Sequence, residues 1–322
     1  YEPEYKIVYD KDGKFESVTI SDNHDGWMEG VNSKGIMIVS ATLQNHQDKK
    51  EGDEPKKKKF NFLNHKKNDQ GKTLRKILDS ETLEEAVKTI EESLFEGNTL
   101  VSDGKRLFVI EIFLPIKEKE KYEKIVLKNN PELDVPEDDN KYQEKRSKLR
   151  DLVYELTKKE DYEIHIEEVI EDELVVRTNH GIFLKKAGYQ PKDGEGYESS
   201  MNRRKVVIDT LEDLDINNPF DVLSAVKNLG TEEIHKDPMM RPIRVEPCQY
   251  ITTTIIMLTP TGTMFAVPME AKFENININK ISEERGVSFV LLPKNFNLWK
   301  TFEDEPKKKL KLKEYFERRI KE

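Results

Sequence analysis

The chain has 322 residues, 35% of them hydrophobic and 36% charged, so the apolar residues must be concentrated in a few segments to form a core. A net charge of -9 argues against general attraction to phosphate backbones, and no nucleic-acid partner is expected. Cys248 is the single cysteine, which excludes an intrachain disulfide and a Cys-rich zinc site. No apolar run approaches the roughly 20 residues that span a bilayer, and the charged start Tyr1-Glu2-Pro3-Glu4 does not read as a signal peptide. The expectation is a cytoplasmic protein without a membrane partner.

Two alternating runs between Tyr5 and Ile20 flank Lys11-Asp12-Gly13, a turn signal that predicts a hairpin. A second hairpin joins Trp27-Met28-Glu29-Gly30-Val31 to Gly35 through Leu43 by way of Asn32-Ser33-Lys34-Gly35. Residues 47 to 72 are dominated by Lys, Asp, Glu, Asn and Gly and read as a charged insertion, a loop or flap. From Lys72 to Phe95 apolar residues recur at helical spacing, and Thr82-Leu83-Glu84-Glu85 reads as a capping box that restarts the helix. A third hairpin turns at Asp103-Gly104-Lys105, and its second strand carries Glu111 among apolar residues, where a buried carboxylate needs a partner.

Residues 116 to 160 form a second charged insertion with a helix from about Lys141 to Lys158. Strand patterning resumes at Tyr162 to Glu167 and at Glu173 to Arg177. Helices are expected at Ser200 to Leu214 and Pro219 to Leu229, and Tyr250 to Pro268, turning at Thr259-Pro260-Thr261-Gly262, carries the clearest hairpin pattern of the chain. Its doubly apolar strands suit a sheet covered on both faces. A charged helix is expected from about Lys307. Without repeats or Pro/Gly/Ser-rich linkers, 1 to 322 reads as a single α+β domain with insertions.

Few motifs carry chemistry. Gly71-Lys72-Thr73 lacks the upstream glycine of a phosphate-binding loop, since Lys66 stands there. His24, His46, His65, His165, His180 and His235 show no ligand spacing, so neither a metal nor another cofactor is expected. His165 reads as a solvated strand face and Cys248 as an inert thiol. Arg177-Thr178-Asn179-His180-Gly181 is different: a cation, a hydroxyl, an amide and an imidazole follow an apolar run, where a scaffold presents polar groups to a cleft. An ordinary strand-end turn is the alternative reading of the same residues.

Gly30-Val31-Asn32-Ser33-Lys34-Gly35-Ile36, Thr82-Leu83-Glu84-Glu85-Ala86, Ser102-Asp103-Gly104, Phe108-Val109-Ile110-Glu111, Thr178-Asn179-His180 and Ser200-Met201-Asn202-Arg203 occur in an order that resembles the N-terminal-nucleophile hydrolases of linear amides. That group contains the isopenicillin N acyltransferases, penicillin V acylases and bile-salt hydrolases. The resemblance implies a four-layer αββα sandwich of two stacked, mainly antiparallel sheets. It also implies a hydrolase or acyltransferase acting on a non-peptide amide C–N bond through an acyl-enzyme. It places Asn179 as the oxyanion donor and Arg203 as the residue that orients nucleophile or substrate. Trp27, Gln44, Asn45 and His180 are placed as substrate-binding residues, with Ser200 opening the Arg203 helix. The partner would be a small-molecule amide, and nothing in the sequence opposes a homo-oligomer. Catalysis in that group needs an N-terminal cysteine, whereas this chain starts with Tyr1 and holds only Cys248. Either a short piece bearing the cysteine precedes Tyr1, which is the preferred expectation, or the protein binds without cleaving.

Overall fold

The computed structural model describes residues 4–10, 13–15, 17–22, 28–41, 43, 70–136, 141–169, 174–212, 214, 254–258, 263–268, 272–273 and 288–291. The expected hairpins form. Strands β1 (Glu4–Asp10) and β2 (Ser17–Asp22) pair antiparallel from Tyr5↔Asp22 to Asp10↔Ser17. Strands β3 (Met28–Asn32) and β4 (Met37–Ala41) pair through Gly30↔Ile38 and Val31↔Met37. Asn32 makes this turn more than a reversal. Its Oδ1 accepts the N–H groups of Lys34 (3.0 Å) and Ile36 (2.9 Å), while its Nδ2 donates to the carbonyls of Leu78 (2.7 Å) and Ser80 (2.9 Å). One buried amide thereby closes the hairpin and ties it to the end of a helix.

That helix is α1 (Gln70–Leu78), which starts two residues before the expected Lys72 and so takes the last residues of the charged segment. Helix α2 (Leu83–Glu92) follows as a separate element. Thr82 Oγ1 accepts the N–H of Glu85 at 3.2 Å, and the Glu85 carboxylate turns back to the N–H of Glu81 at 2.8 Å. This is a capping box displaced by one residue, with the orphan N–H groups of the first turn satisfied locally.

Strands β5 (Gly97–Ser102), β6 (Leu107–Phe113) and β7 (Glu163–Val169) continue the antiparallel array. Later in the chain come β8 (Thr254–Leu258), β9 (Thr263–Pro268), β10 (Lys272–Phe273) and β11 (Ser288–Leu291). The larger sheet has eight strands in the order β10-β1-β2-β3-β4-β5-β6-β7, antiparallel except where β10 joins β1. A second sheet, β11-β9-β8, contains the predicted late hairpin, and β9 touches β3 of the larger sheet.

Alternation along the strands divides the larger sheet into two faces. Ile36, Ile38, Val101, Ile110 and Ile112 pack with Leu74, Ile77, Leu78, Leu83, Ala86 and Ile90 of α1 and α2, forming the main core on one face. On the opposite face of β6, Phe113 packs with Leu43 and Ala187. Glu111 lies on that same face.

Between β6 and β7 the chain makes two helices, α3 (Ile116–Asn129) and α4 (Tyr142–Leu156). The second was expected and the first was not. The two share a small core of Val126, Leu133, Leu149 and Val153. Tyr154 of α4 reaches back to the sheet, its hydroxyl donating to Glu96 Oε2 at 2.6 Å. Helix α5 (Glu195–Leu211) begins five residues before Ser200, so Ser200 lies in its second turn and does not open it. The described residues thus form an α+β fold in which no helix is long and apolar enough to cross a membrane. The helices expected at Pro219 and Lys307 and most of the 47 to 72 segment lie outside the described residues.

Candidate functional site

The strand expected at Glu173 to Arg177 does not form: residues 174 to 178 have no ladder partner. Side chains take the place of a neighbouring strand. Arg204 Nε donates to the carbonyl of Val176 at 3.2 Å, and Asn98 Nδ2 on β5 donates to the carbonyls of Thr178 (2.8 Å) and His180 (3.0 Å). These bonds satisfy backbone acceptors that a ladder would otherwise take up. Downstream, the chain folds back on itself, with Gly181 N–H on the Ala187 carbonyl (2.9 Å) and Tyr189 N–H on the Asn179 carbonyl (2.9 Å). Gly188 sits at φ +70°, and a Cβ there would fall 2.3 Å from the Asn179 carbonyl oxygen. At Gly181 the clash would be with the Leu184 oxygen at 2.1 Å. Both positions therefore require glycine.

Glu111 anchors this loop. Its side chain is fully buried and accepts three successive backbone N–H groups, from Ile182 (2.9 Å), Phe183 (3.1 Å) and Leu184 (2.8 Å). Arg177 Nε stands 3.9 Å from Glu111 Oε1, close enough for attraction between charges but too far for a hydrogen bond. Burial lowers the pKa of the Arg177 guanidinium, and the Glu111 charge opposes that shift. The Arg177 guanidinium also lies 5.2 Å from the centroid of the Phe183 ring. His165, expected on a solvated face, instead stacks on the other partner of this group, its ring centroid 3.9 Å from that of Phe183. The cause is its pairing opposite Glu111 in the β6–β7 register, which points it at the loop that Glu111 holds.

Behind the loop, Thr178, His180 and Ser200 form a closed polar cluster. Ser200 Oγ lies 2.7 Å from His180 Nδ1, 3.0 Å from Thr178 Oγ1 and 3.1 Å from the N–H of Asn179 that donates to it. Thr178 Oγ1 donates to the Ser200 carbonyl at 3.1 Å. His180 is only 3% exposed, and its Nε2 has no hydrogen-bond partner. Burial pushes its pKa down to about 4, helped by the positive charges of Arg204, Arg203, Lys185 and Arg177. The imidazole is therefore neutral near pH 7.

Asn179 and Arg203, given separate catalytic roles by the resemblance, meet here. Arg203 Nη2 donates to Asn179 Oδ1 at 3.1 Å, and Arg203 Nε donates to the Ser199 carbonyl at 3.3 Å. The bond fixes the sense of the Asn179 amide, with the oxygen on Arg203 and the NH2 at the other end. A half-buried amide donor beside a neutral imidazole, in a surround of four cations, is chemically suited to stabilise developing negative charge.

His180 is placed beside Asn179 as expected, but as an almost wholly buried group. Trp27, Gln44 and Asn45 lie outside the described residues. Glu111 was legible as a carboxylate in need of a partner, whereas Asn98 and the positioning of Ser200 carried no sequence signal beyond their residue types. No cluster of three or more potential metal ligands occurs among the described residues. A groove of about 610 Å³ lined by Tyr162, Ile164, Ile166, Glu91, Lys159 and Glu160 lies on the helix-covered face of β7, away from this cluster. Comparison of the chain with protein-family models, curated proteins and solved structures returned no match.

Proposed function

We propose that this chain carries the site of an N-terminal-nucleophile hydrolase or acyltransferase acting on linear amide C–N bonds, within a four-layer αββα sandwich. The observation that carries the reading is the Arg203–Asn179 bond, which directs the Asn179 NH2 away from Arg203 as an oxyanion donor. Two features of the fold support it: α1 and α2 cover one face of the larger sheet, and β9 of the second sheet lies against β3.

In the proposed reaction a cysteine thiolate at the mature N-terminus adds to the amide carbon, and its own α-amino group takes up the thiol proton. Asn179 Nδ2 hydrogen-bonds the oxygen as it becomes negative. Collapse of the tetrahedral intermediate breaks the C–N bond, the proton passes to the departing amine, and a thioester remains. Water releases the acyl group as a carboxylic acid, and an amine acceptor releases it as a new amide.

Two measurements test this. Mass spectrometry of the native protein reads its N-terminal residue: a chain starting at cysteine supports catalysis, and one starting at Tyr1 leaves a binding protein on the same fold. Amine release from a panel of N-acyl anilides and N-acyl amino acids then reads activity. Asn179→Ala is expected to lower kcat on the order of a hundred- to a thousand-fold while the protein stays folded. Unchanged turnover in that variant would remove Asn179 from the reaction.

A further inference from the structure

We infer that the outer edge of β7 is a docking site for the chain's own segment 309 to 313, which joins the larger sheet there as an extended strand. β7 pairs with β6 along one edge, and no described residue pairs with the other. On that edge every second residue presents a backbone N–H and C=O without a ladder partner among the described residues, a template for another strand. The strand is also two-sided in chemistry. Tyr162, Ile164 and Ile166 share the helix-covered face, where they pack against the main core, stay partly exposed and floor the groove of about 610 Å³. At its rim stand Glu91, Glu160 and Lys159, whose ammonium is already bound to Glu91 at 2.9 Å. Glu163, His165 and Glu167 share the opposite face, and Glu168 is exposed near the end of the strand.

A strand that suits this edge offers aliphatic side chains to the groove and cations at the positions between them. Lys309-Leu310-Lys311-Leu312-Lys313 has that pattern. In an extended chain Leu310 and Leu312 fall on one face, beside Ile164 and Ile166, and the lysines fall on the other, beside Glu163 and Glu167. The helix expected from about Lys307 would set Leu310 and Leu312 about 200° apart around its axis, where one groove cannot take both. The residues between Leu291, the last one described, and Lys309 can span roughly 60 Å when extended, so reach is no obstacle.

Two other occupants suit the edge less well. A second copy of β7 would bring Glu163, Glu167 and Glu168 against the same three residues. The register that sets Ile164 opposite Ile166 of that copy also sets Glu163 opposite Glu167, a like-charge pair. Asn275-Ile276-Asn277-Ile278-Asn279 alternates too, but it offers amides where the glutamates favour cations. The acidic edge thus discourages like-charged strands and selects a cationic one.

Hydrogen exchange of the full chain, read amide by amide by NMR, tests this, with the amides of β5 and β6 reporting that the sheet is intact. The outward-facing amides of β7 are expected to be protected in the wild type and to exchange at least about tenfold faster in Leu310→Asp/Leu312→Asp, with β5 and β6 unchanged. Glu163→Lys/Glu167→Lys is expected to produce the same loss, and combining it with Lys309→Glu, Lys311→Glu and Lys313→Glu to restore the protection. A synthetic peptide of residues 307 to 313, added to Leu310→Asp/Leu312→Asp, should protect the edge again, and the same peptide with aspartate at both leucines should not. Freely exchanging outward amides in the wild type overturn the inference, whatever the variants do. Protection that survives the leucine substitutions overturns it as well, because another segment then covers the edge. Protection that rises with protein concentration puts a second copy there and is equally fatal. None of these readouts requires turnover, so the outcome is independent of the amide-cleavage reading.

Discussion

Arg203 donates from Nη2 to Asn179 Oδ1 across 3.1 Å, joining the second half of the site segment to the third turn of α5. An amide whose oxygen is engaged in this way cannot turn over without losing the bond. Under the proposed amide cleavage, Arg203→Met is therefore expected to lower kcat for amine release about tenfold with a smaller change in KM, because the Asn179 NH2 loses its fixed direction. Arg203→Lys should recover part of the loss. Initial rates over a substrate series check this, and an unchanged kcat in Arg203→Met would show that Asn179 is oriented by something else.

Glu111 supports the loop that carries these groups. In Glu111→Gln an NH2 replaces one oxygen and faces backbone N–H groups that were its donors. A loss of about 2 to 4 kcal/mol is expected. Urea unfolding monitored by fluorescence gives the value, and a shift below about 0.5 kcal/mol would mean that the loop finds other acceptors.

At the far end of the main core, Asn32→Asp is a change of similar size with a large expected effect. The carboxylate still accepts from Lys34 and Ile36, but the carbonyls of Leu78 and Ser80 lose their donor and face a negative charge. Destabilisation of about 2 to 4 kcal/mol is expected, with thermal unfolding at lower temperature. Asn32→Ala should be less harmful in charge but should also open the turn.

His180 makes stability depend on pH in one direction. Its folded pKa, about 4, lies below the ordinary value of 6.5, so the unfolded chain takes up a proton first as pH falls. Its contribution is complete above pH 6.5 and is lost progressively between 6.5 and 4. The full swing is on the order of 3 kcal/mol. Denaturant titrations at pH 7, 6, 5 and 4 should show the gap between wild type and His180→Gln narrowing across that window. A constant gap would mean that the ring titrates normally.

The hairpins were legible because Asn-Ser-Lys-Gly and Asp-Gly-Lys turns stand between alternating runs, a signal that is local. The role of Asn32 was not, since its donors reach carbonyls 46 and 48 residues further on. Leu174, Val175 and Val176 resemble a strand in composition, yet Arg204 binds the carbonyl of Val176 and Asn98 binds that of Thr178 just beyond it, and those partners are distant in sequence. Helix α3 escaped notice because charged residues dominate it and its one fully buried apolar residue, Val126, makes sense only beside α4. The beginning of α5 was misplaced because Gly194, at φ +56°, starts the helix without a side-chain cap to mark it. Asn179 and Arg203 were found by resemblance, and their direct bond is a tertiary fact that no spacing of 24 residues announces.

Phe113 and Glu163 are cross-strand partners, although 49 residues separate them along the chain. The excursion through α3 and α4 leaves and rejoins the sheet at a single rung. A short reverse turn would span the same two ends, so the length of this stretch answers to the α3–α4 core and to the Tyr154–Glu96 bond, and the register of β6 and β7 does not require it.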